Sequence, residues 1–244
     1  MAHPISLPDE RYELWVTLAS RRTQAPESVL ATLVDATWEI TCAHYDVAFQ
    51  NDPDWLARPP EGLSRVRWQR VVADSDELYE VALLASGEEE AALQWWRDAT
   101  PLPTRLTDAA PEITGPYALL HSDTRSDNLR YTRGRLTLFD WPWAEVGRHE
   151  FDLVAFALSV TTEGGVNPEQ VIAWYAERLA VQPAAVDAAV AWFVAFFAAQ
   201  AWRPEIPGLP RLRRFQRQQL AVVLAWAARR FNLPAPTWLH ALDV

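Results

Sequence analysis

Lysine is missing from this chain altogether, because all 22 of its Lys and Arg residues are arginines. No G-x-G-x-x-G run occurs either. Together these absences exclude the usual phosphate clamp of a nucleotide site, in which a strand lysine works beneath a glycine-rich loop. Arginine, with its larger planar fork, is not an equivalent replacement. The single cysteine, Cys42, excludes an intrachain disulfide framework and a cysteine-based zinc site, and it fits a reducing cytoplasm. The start Met-Ala-His-Pro lacks the basic and apolar regions of a signal peptide, and the longest apolar run, Ala188 to Ala199, is too short to span a bilayer. A cytoplasmic protein without a membrane partner is therefore expected. The net charge of −10 leaves no general basic footprint for nucleic acid, whereas an acidic cleft would favour a cationic small molecule.

What is present is enough for a real core. Half of the 244 residues are hydrophobic and 13 are tryptophan, so the chain is a folded protein rather than a disordered one. Residues 1–25 leave two readings open: Ser6-Leu-Pro-Asp9 suits a helix start, while Tyr12, Leu14, Val16 and Leu18 alternate as in a strand. A helical period covers Pro26 to Tyr45, a loop Asn51 to Gly62, and helices are predicted for Asp76 to Ala85 and Glu88 to Ala99. A proline-containing connector, Pro101 to Pro116, follows. Beyond Asp152, helices are predicted for Pro168 to Ala180, from Gln182-Pro183 to about Trp202, and for Leu209 to Phe231. The second of these is apolar on nearly all sides and should be buried. In the last, Arg211, Arg213, Arg214 and Arg217 form a basic cluster that reads as a solvated face. The predicted fold class is mainly α with a small β-hairpin.

Chemistry concentrates between His121 and Asp152. His121, Asp123 and Asn128 reproduce the spacing H-x-D-x-x-x-x-N, in which the aspartate accepts a hydroxyl proton and the asparagine holds magnesium. Leu129 to Tyr131 and Leu136 to Phe139 read as two strands about the turn Thr132-Arg133-Gly134. Such a hairpin brings Asp140 to the same end of the ladder as Asn128. Two oxygen ligands suit Mg²⁺, which completes its shell with phosphate and water. Within the loop, two readings of Arg125 stand: a phosphate contact, or a local pair with Asp127. Trp141-Pro142-Trp143 could shape an acceptor pocket or belong to the core.

From Leu119-Leu120-His121 through Asp140-Trp141 to Gly147 and Phe151-Asp152-Leu153, the chain resembles the aminoglycoside phosphotransferase family, which includes choline-kinase-like and homoserine-kinase-like enzymes on a protein-kinase-like fold. The resemblance implies that residues 26–244 form the helical C-terminal lobe, with catalytic-type loop 121–128 and metal-site hairpin 129–141. The nucleotide lobe would be missing or reduced to residues 1–25. It further implies ATP-dependent transfer to a hydroxyl of a small molecule, with Asp123 as catalytic base, Asn128 and Asp140 as Mg²⁺ ligands, and His121 and Asp152 supporting the loop; Arg125, on its phosphate reading, would be the cofactor contact. A lobe with an open cleft leaves room for a second copy or a partner chain to cover it. The missing lysine keeps an alternative in view: an inactive or incomplete lobe that binds a ligand or partner.

Overall fold

Residues 150–162 and 183–201 are apolar around most of their circumference, and each becomes the buried helix of its own compact unit in the computed structural model. The structure describes residues 5–6, 75–101, 118–132, 135–138 and 145–242. In chain order the main elements are β1 (Ile5–Ser6), α1 (Ser75–Leu83), α2 (Glu89–Ala99), β2 (Ala118–Leu120), β3 (Leu129–Thr132), β4 (Arg135–Leu138), β5 (Glu145–Gly147), α3 (Glu150–Thr162), α4 (Pro168–Ala176), α5 (Pro183–Ala201) and α6 (Leu212–Arg230). Among the described residues, one unit holds 5–6 and 118–182, and the other 75–101 and 183–242. The described part is mostly helical. The elements expected between residues 7 and 74, the connector 102–117, Asp140 and the Trp141-Pro142-Trp143 segment lie outside the described residues.

In the first unit β3 and β4 form an antiparallel hairpin, from Leu129 opposite Leu138 to Thr132 opposite Arg135. β1 joins the free edge of β4. A separate pair, β2 with β5, runs antiparallel with Ala118 opposite Gly147 and Leu120 opposite Glu145. Gly147 is required by close approach: a Cβ there would sit 2.6 Å from Cδ1 of the buried Leu120. These pairs frame the loop 121–128, which leaves β2 and enters β3. α3 then packs against α4, with Val154, Phe156, Leu158, Val171 and Trp174 among the buried residues.

Both ends of the α3–α4 connection are set by local chemistry. Gly164 takes φ 88°, its N–H donates to Thr161 O at 3.0 Å, and that of Gly165 donates to Val160 O at 2.9 Å. This left-handed stop satisfies the last carbonyls of α3 and leaves Glu163 as its C-cap. Asn167 caps α4 by accepting from Gln170 N–H, and Pro168 occupies the first helical position. α4 ends at Ala176 rather than Ala180. The N–H groups of Arg178 and Leu179 both donate to Tyr175 O, a tightened last turn that closes the helix.

In the second unit α5 packs mainly on α6 and also meets α1. Length and composition alone would let α5 cross a membrane, but 72% of its apolar window is buried inside the protein. Asp187 of α5 pairs with Arg230 of α6. Trp95, Trp96 and Trp238 make an aromatic cluster with edge-on and tilted contacts, and Trp95 Nε1 donates to Pro234 O at 2.8 Å. α6 begins at Leu212, later than the predicted Leu209, because Ile206 to Leu209 closes a turn with Gly208 at φ 87°. The basic cluster is not wholly a solvated face. Arg213 is buried and donates to Pro204 O, Gln200 O and Gln216 Oε1, so it ties the start of α6 to the segment that leaves α5.

Candidate functional site

The loop 121–128 opens with a backbone irregularity. Ser122 has φ 62°, a left-handed conformation that costs a non-glycine residue roughly 1–2 kcal/mol. The bend allows two consecutive N–H groups to reach one carboxylate: His121 N donates to Asp152 Oδ2 at 2.7 Å and Ser122 N to Oδ1 at 2.8 Å. Asp152 is the third residue of α3, where the positive end of the helix favours a carboxylate. Burial raises its pKa above the ordinary aspartate value, and the two N–H donors pull the other way. His121 is fully buried, and its Nδ1 accepts from Asp123 N–H at 3.2 Å.

Asp123 is held from the other side by Asn128. The Asn128 amide nitrogen donates to Asp123 O at 2.8 Å and to Asp123 Oδ2 at 2.9 Å, and Asn128 is itself buried. A short 3₁₀ turn, Ser126–Asn128, fixes that position, with Asn128 N–H donating to Arg125 O at 3.0 Å. The Asp123 side chain keeps 33% exposure. One of its oxygens accepts from Asn128 and the other lies 3.4 Å from Arg125 Nε. Each carboxylate oxygen offers two acceptor positions, so these contacts leave capacity for a hydroxyl. Arg125 is placed closer to Asp127, with Nε 2.8 Å from Oδ1. Half-exposed pairs of this kind contribute little stability, about 0–1 kcal/mol.

Two features of this region were not found by sequence reasoning. Glu163, at the C-cap of α3, accepts through Oε1 from Ser126 Oγ at 2.7 Å and from Ser159 Oγ at 3.0 Å. Burial raises its pKa, against the lowering effect of the two serine hydroxyls. The available signal was a glutamate four residues after Ser159 and just before Gly164-Gly165, at the end of a helix where the dipole disfavours a carboxylate. The second feature is the buried group Arg148, His149 and Glu150 that leads into α3. Arg148 Nε donates to Glu150 Oε2 at 2.9 Å, the Gln182 N–H supports Oε1, and the His149 ring stacks on Tyr175. Burial pushes Glu150 up, but Arg148, Gln182 N–H and His149 outweigh it and hold the carboxyl below the usual range. Burial, opposed by Glu150, holds His149 below its usual value.

Asn128 has the chemistry for a Mg²⁺ ligand: with its nitrogen committed to Asp123, the atom left to face a cation is Oδ1, the oxygen type that Mg²⁺ takes. Asp140, the second expected ligand, lies outside the described residues. The described residues thus bring together His121, Asp123, Arg125, Asn128 and Asp152.

No family model matches the chain, and no curated protein matches it. Among solved structures the chain is similar to a glucosamine kinase (crystal form A) at 18% identity, with 99% of this chain and 56% of that chain covered and a TM-score of 0.39. This chain therefore spans little more than half of that kinase's length, and a likeness at this level identifies no family.

Proposed function

We propose that this chain is the helical lobe of a cytoplasmic, kinase-like phosphotransferase that moves the ATP γ-phosphate to a hydroxyl of a small molecule. Supporting this most directly is the state of Asp123: a partly exposed carboxylate on a loop whose backbone is hydrogen-bonded to the buried Asp152 and whose side chain is oriented by Asn128. Asp123 would take the acceptor's proton, and Asn128 would hold the carboxylate in register for it. Asn128 and Asp140 would be the ligands of a Mg²⁺ ion, which when bound neutralises phosphate charge. The acidic balance of the chain favours a cationic acceptor and disfavours nucleic acid.

One observation supports a second reading, an incomplete or inactive lobe that binds a ligand or partner. The chain contains no lysine, and phosphoryl transfer relies on charge stabilisation as well as positioning. The two readings separate in one experiment on the purified full chain: Mg²⁺-dependent ATP binding by calorimetry, followed by transfer assays with small hydroxyl acceptors, cationic ones included. Under the first reading Asp123→Asn keeps ATP affinity and loses roughly 10²–10⁴-fold in turnover, and Asp140→Ala abolishes the Mg²⁺ dependence of binding. Absence of ATP binding at millimolar concentration refutes the first reading and leaves the second.

A further inference from the structure

The loop carrying Asp123 touches α3 at two widely separated points. At its start, His121 and Ser122 donate to Asp152 in the first turn of the helix. Near its end, Ser126 donates to Glu163 at the helix C-cap. Eleven residues separate the two carboxylates, which is about 16 Å of helix rise. Ser122 and Ser126 are four residues apart, at most about 14 Å of extended chain. The Glu163 side chain shortens this span, because its Oε1 also accepts from Ser159 one turn earlier, and the loop runs along α3 like an arch resting on two supports, with Asp123 between them.

Glu163 is an expensive choice for the second support. It is a part-buried carboxylate at the negative end of a helix, where an uncharged acceptor would avoid the dipole and lessen the desolvation penalty. Its position is nonetheless well defined. The Gly164-Gly165 stop fixes the backbone of the C-cap, and the buried Ser159, one helical turn earlier, shares the same acceptor oxygen. On the Ser126 side, the same 3₁₀ turn presents Asn128, whose amide orients the Asp123 carboxylate. A shift of Ser126 would thus be transmitted through Asn128 to Asp123.

We propose that Glu163 is a positioning residue of the site: through Ser126 it fixes the far end of the loop to the same rigid helix that Asp152 fixes at the near end, and so sets where Asp123 meets the acceptor. The catalytic part of this statement rests on the phosphotransferase reading above, whereas the anchoring part does not. Glu163 touches neither substrate nor reacting atoms in this scheme.

The test uses the full chain and three variants, Glu163→Ala, Glu163→Gln and Ser126→Ala. Gln retains an acceptor oxygen for both serines, and Ser126→Ala removes the loop's donor without altering α3. Amide hydrogen exchange over residues 121–128 is expected to speed up about tenfold or more in Glu163→Ala and Ser126→Ala, and to return close to wild type in Glu163→Gln. In transfer assays the two alanine variants are expected to lose roughly 10–100-fold in kcat with little change in KM for ATP, the pattern of a misplaced rather than a missing group. Unchanged exchange in Ser126→Ala overturns the proposal, whether or not Glu163→Ala folds. So does a Gln variant as defective as Ala, which would mean that charge rather than the acceptor oxygen is what counts. If wild type transfers no phosphate while the exchange pattern holds, the phosphotransferase reading falls and the anchor stands.

Discussion

Removing Asp152 should release the loop that carries Asp123. Asp152 is buried, and its two oxygens each accept a backbone N–H, from His121 and from Ser122. Asp152→Asn keeps the shape but offers one acceptor oxygen and one NH₂ group, so one buried N–H faces a donor; such an orphan costs about 1–3 kcal/mol. Asp152→Ala removes both acceptors, and two bonds to a charged group at about 1.5–3 kcal/mol each give roughly 3–6 kcal/mol. Burial works in the opposite direction. It raises the Asp152 pKa, so removing the carboxylate also removes a desolvation penalty and brings both costs toward the lower ends of these ranges. For a chain of this length each kcal/mol moves Tm by about 2–4 °C, so Asp152→Ala should melt at least about 6 °C lower, with Asp152→Asn between it and wild type. Thermal unfolding followed by tryptophan fluorescence reads the shift, and amide exchange reads the His121 and Ser122 N–H groups directly. An alanine variant that melts within about 2 °C of wild type and exchanges these two N–H groups at the wild-type rate would show that the bracing carries no energy.

Other perturbations test the frame around the loop. Gly147→Ala should cost about 1–3 kcal/mol in urea unfolding, because its Cβ would lie 2.6 Å from Leu120 Cδ1 in a packed interior. Ser122→Val should lower stability by about 1–3 kcal/mol, since a β-branched residue fits φ 62° worse than serine, while Ser122→Gly should match or exceed wild type by urea midpoint. Acid should destabilise the first unit in two stages. His149 lies below its ordinary 6.5 and Glu150 below its ordinary 4.5, so in each case the unfolded chain takes up the proton first and stability is lost as pH falls through the window beneath that value. Glu150→Gln should remove the second stage from a plot of urea midpoint against pH. Glu163 has the opposite sign: its pKa is raised, so its contribution is full below 4.5 and declines as pH rises through the folded value, a decline that Glu163→Gln should abolish.

Local signals in the chain made some elements readable and left others hidden. Asn167-Pro168 marks the start of α4 because a capping side chain and a fixed φ act on adjacent residues alone. The start of α6 is harder to read. Apolar periodicity extends back to Leu209, against Pro210 and the Ile206–Leu209 turn, which hold the helix back until Leu212. Arg213 looks like its exposed neighbours in the sequence, yet it is buried and donates to Gln200 O and Pro204 O, in the last turn of α5 and just beyond it. Long-range partners are less legible still. Asp152 meets loop N–H groups 31 and 30 residues away, and Glu163 meets Ser126 across 37 residues, distances over which periodicity carries no information. Asp152 lies within the stretch that carries the family resemblance, and Glu163 lies beyond it.

The loop and the missing lysine bear on different halves of the proposed chemistry. Hydrogen bonds that Asp152 and Glu163 accept from the loop, and that Asn128 donates to Asp123, would fix where a hydroxyl acceptor meets Asp123, which is the positioning half. Holding the phosphates is an electrostatic task, and one preorganised donor of that kind is worth about 2.7–4 kcal/mol in the transition state. None of the loop's contacts replaces it. Arg125, the one cation in the loop sequence, is engaged with Asp127 and Asp123, so recruiting it to phosphate would expose two carboxylates to the same anion. Under the phosphotransferase reading the deficit should therefore appear on the nucleotide side, as weak ATP binding and slow turnover, while discrimination among acceptors stays intact. An acceptor preference that survives at low turnover would fit a rigid loop working with a poor clamp, and indifference among acceptors would mean that the bracing around Asp123 serves stability alone.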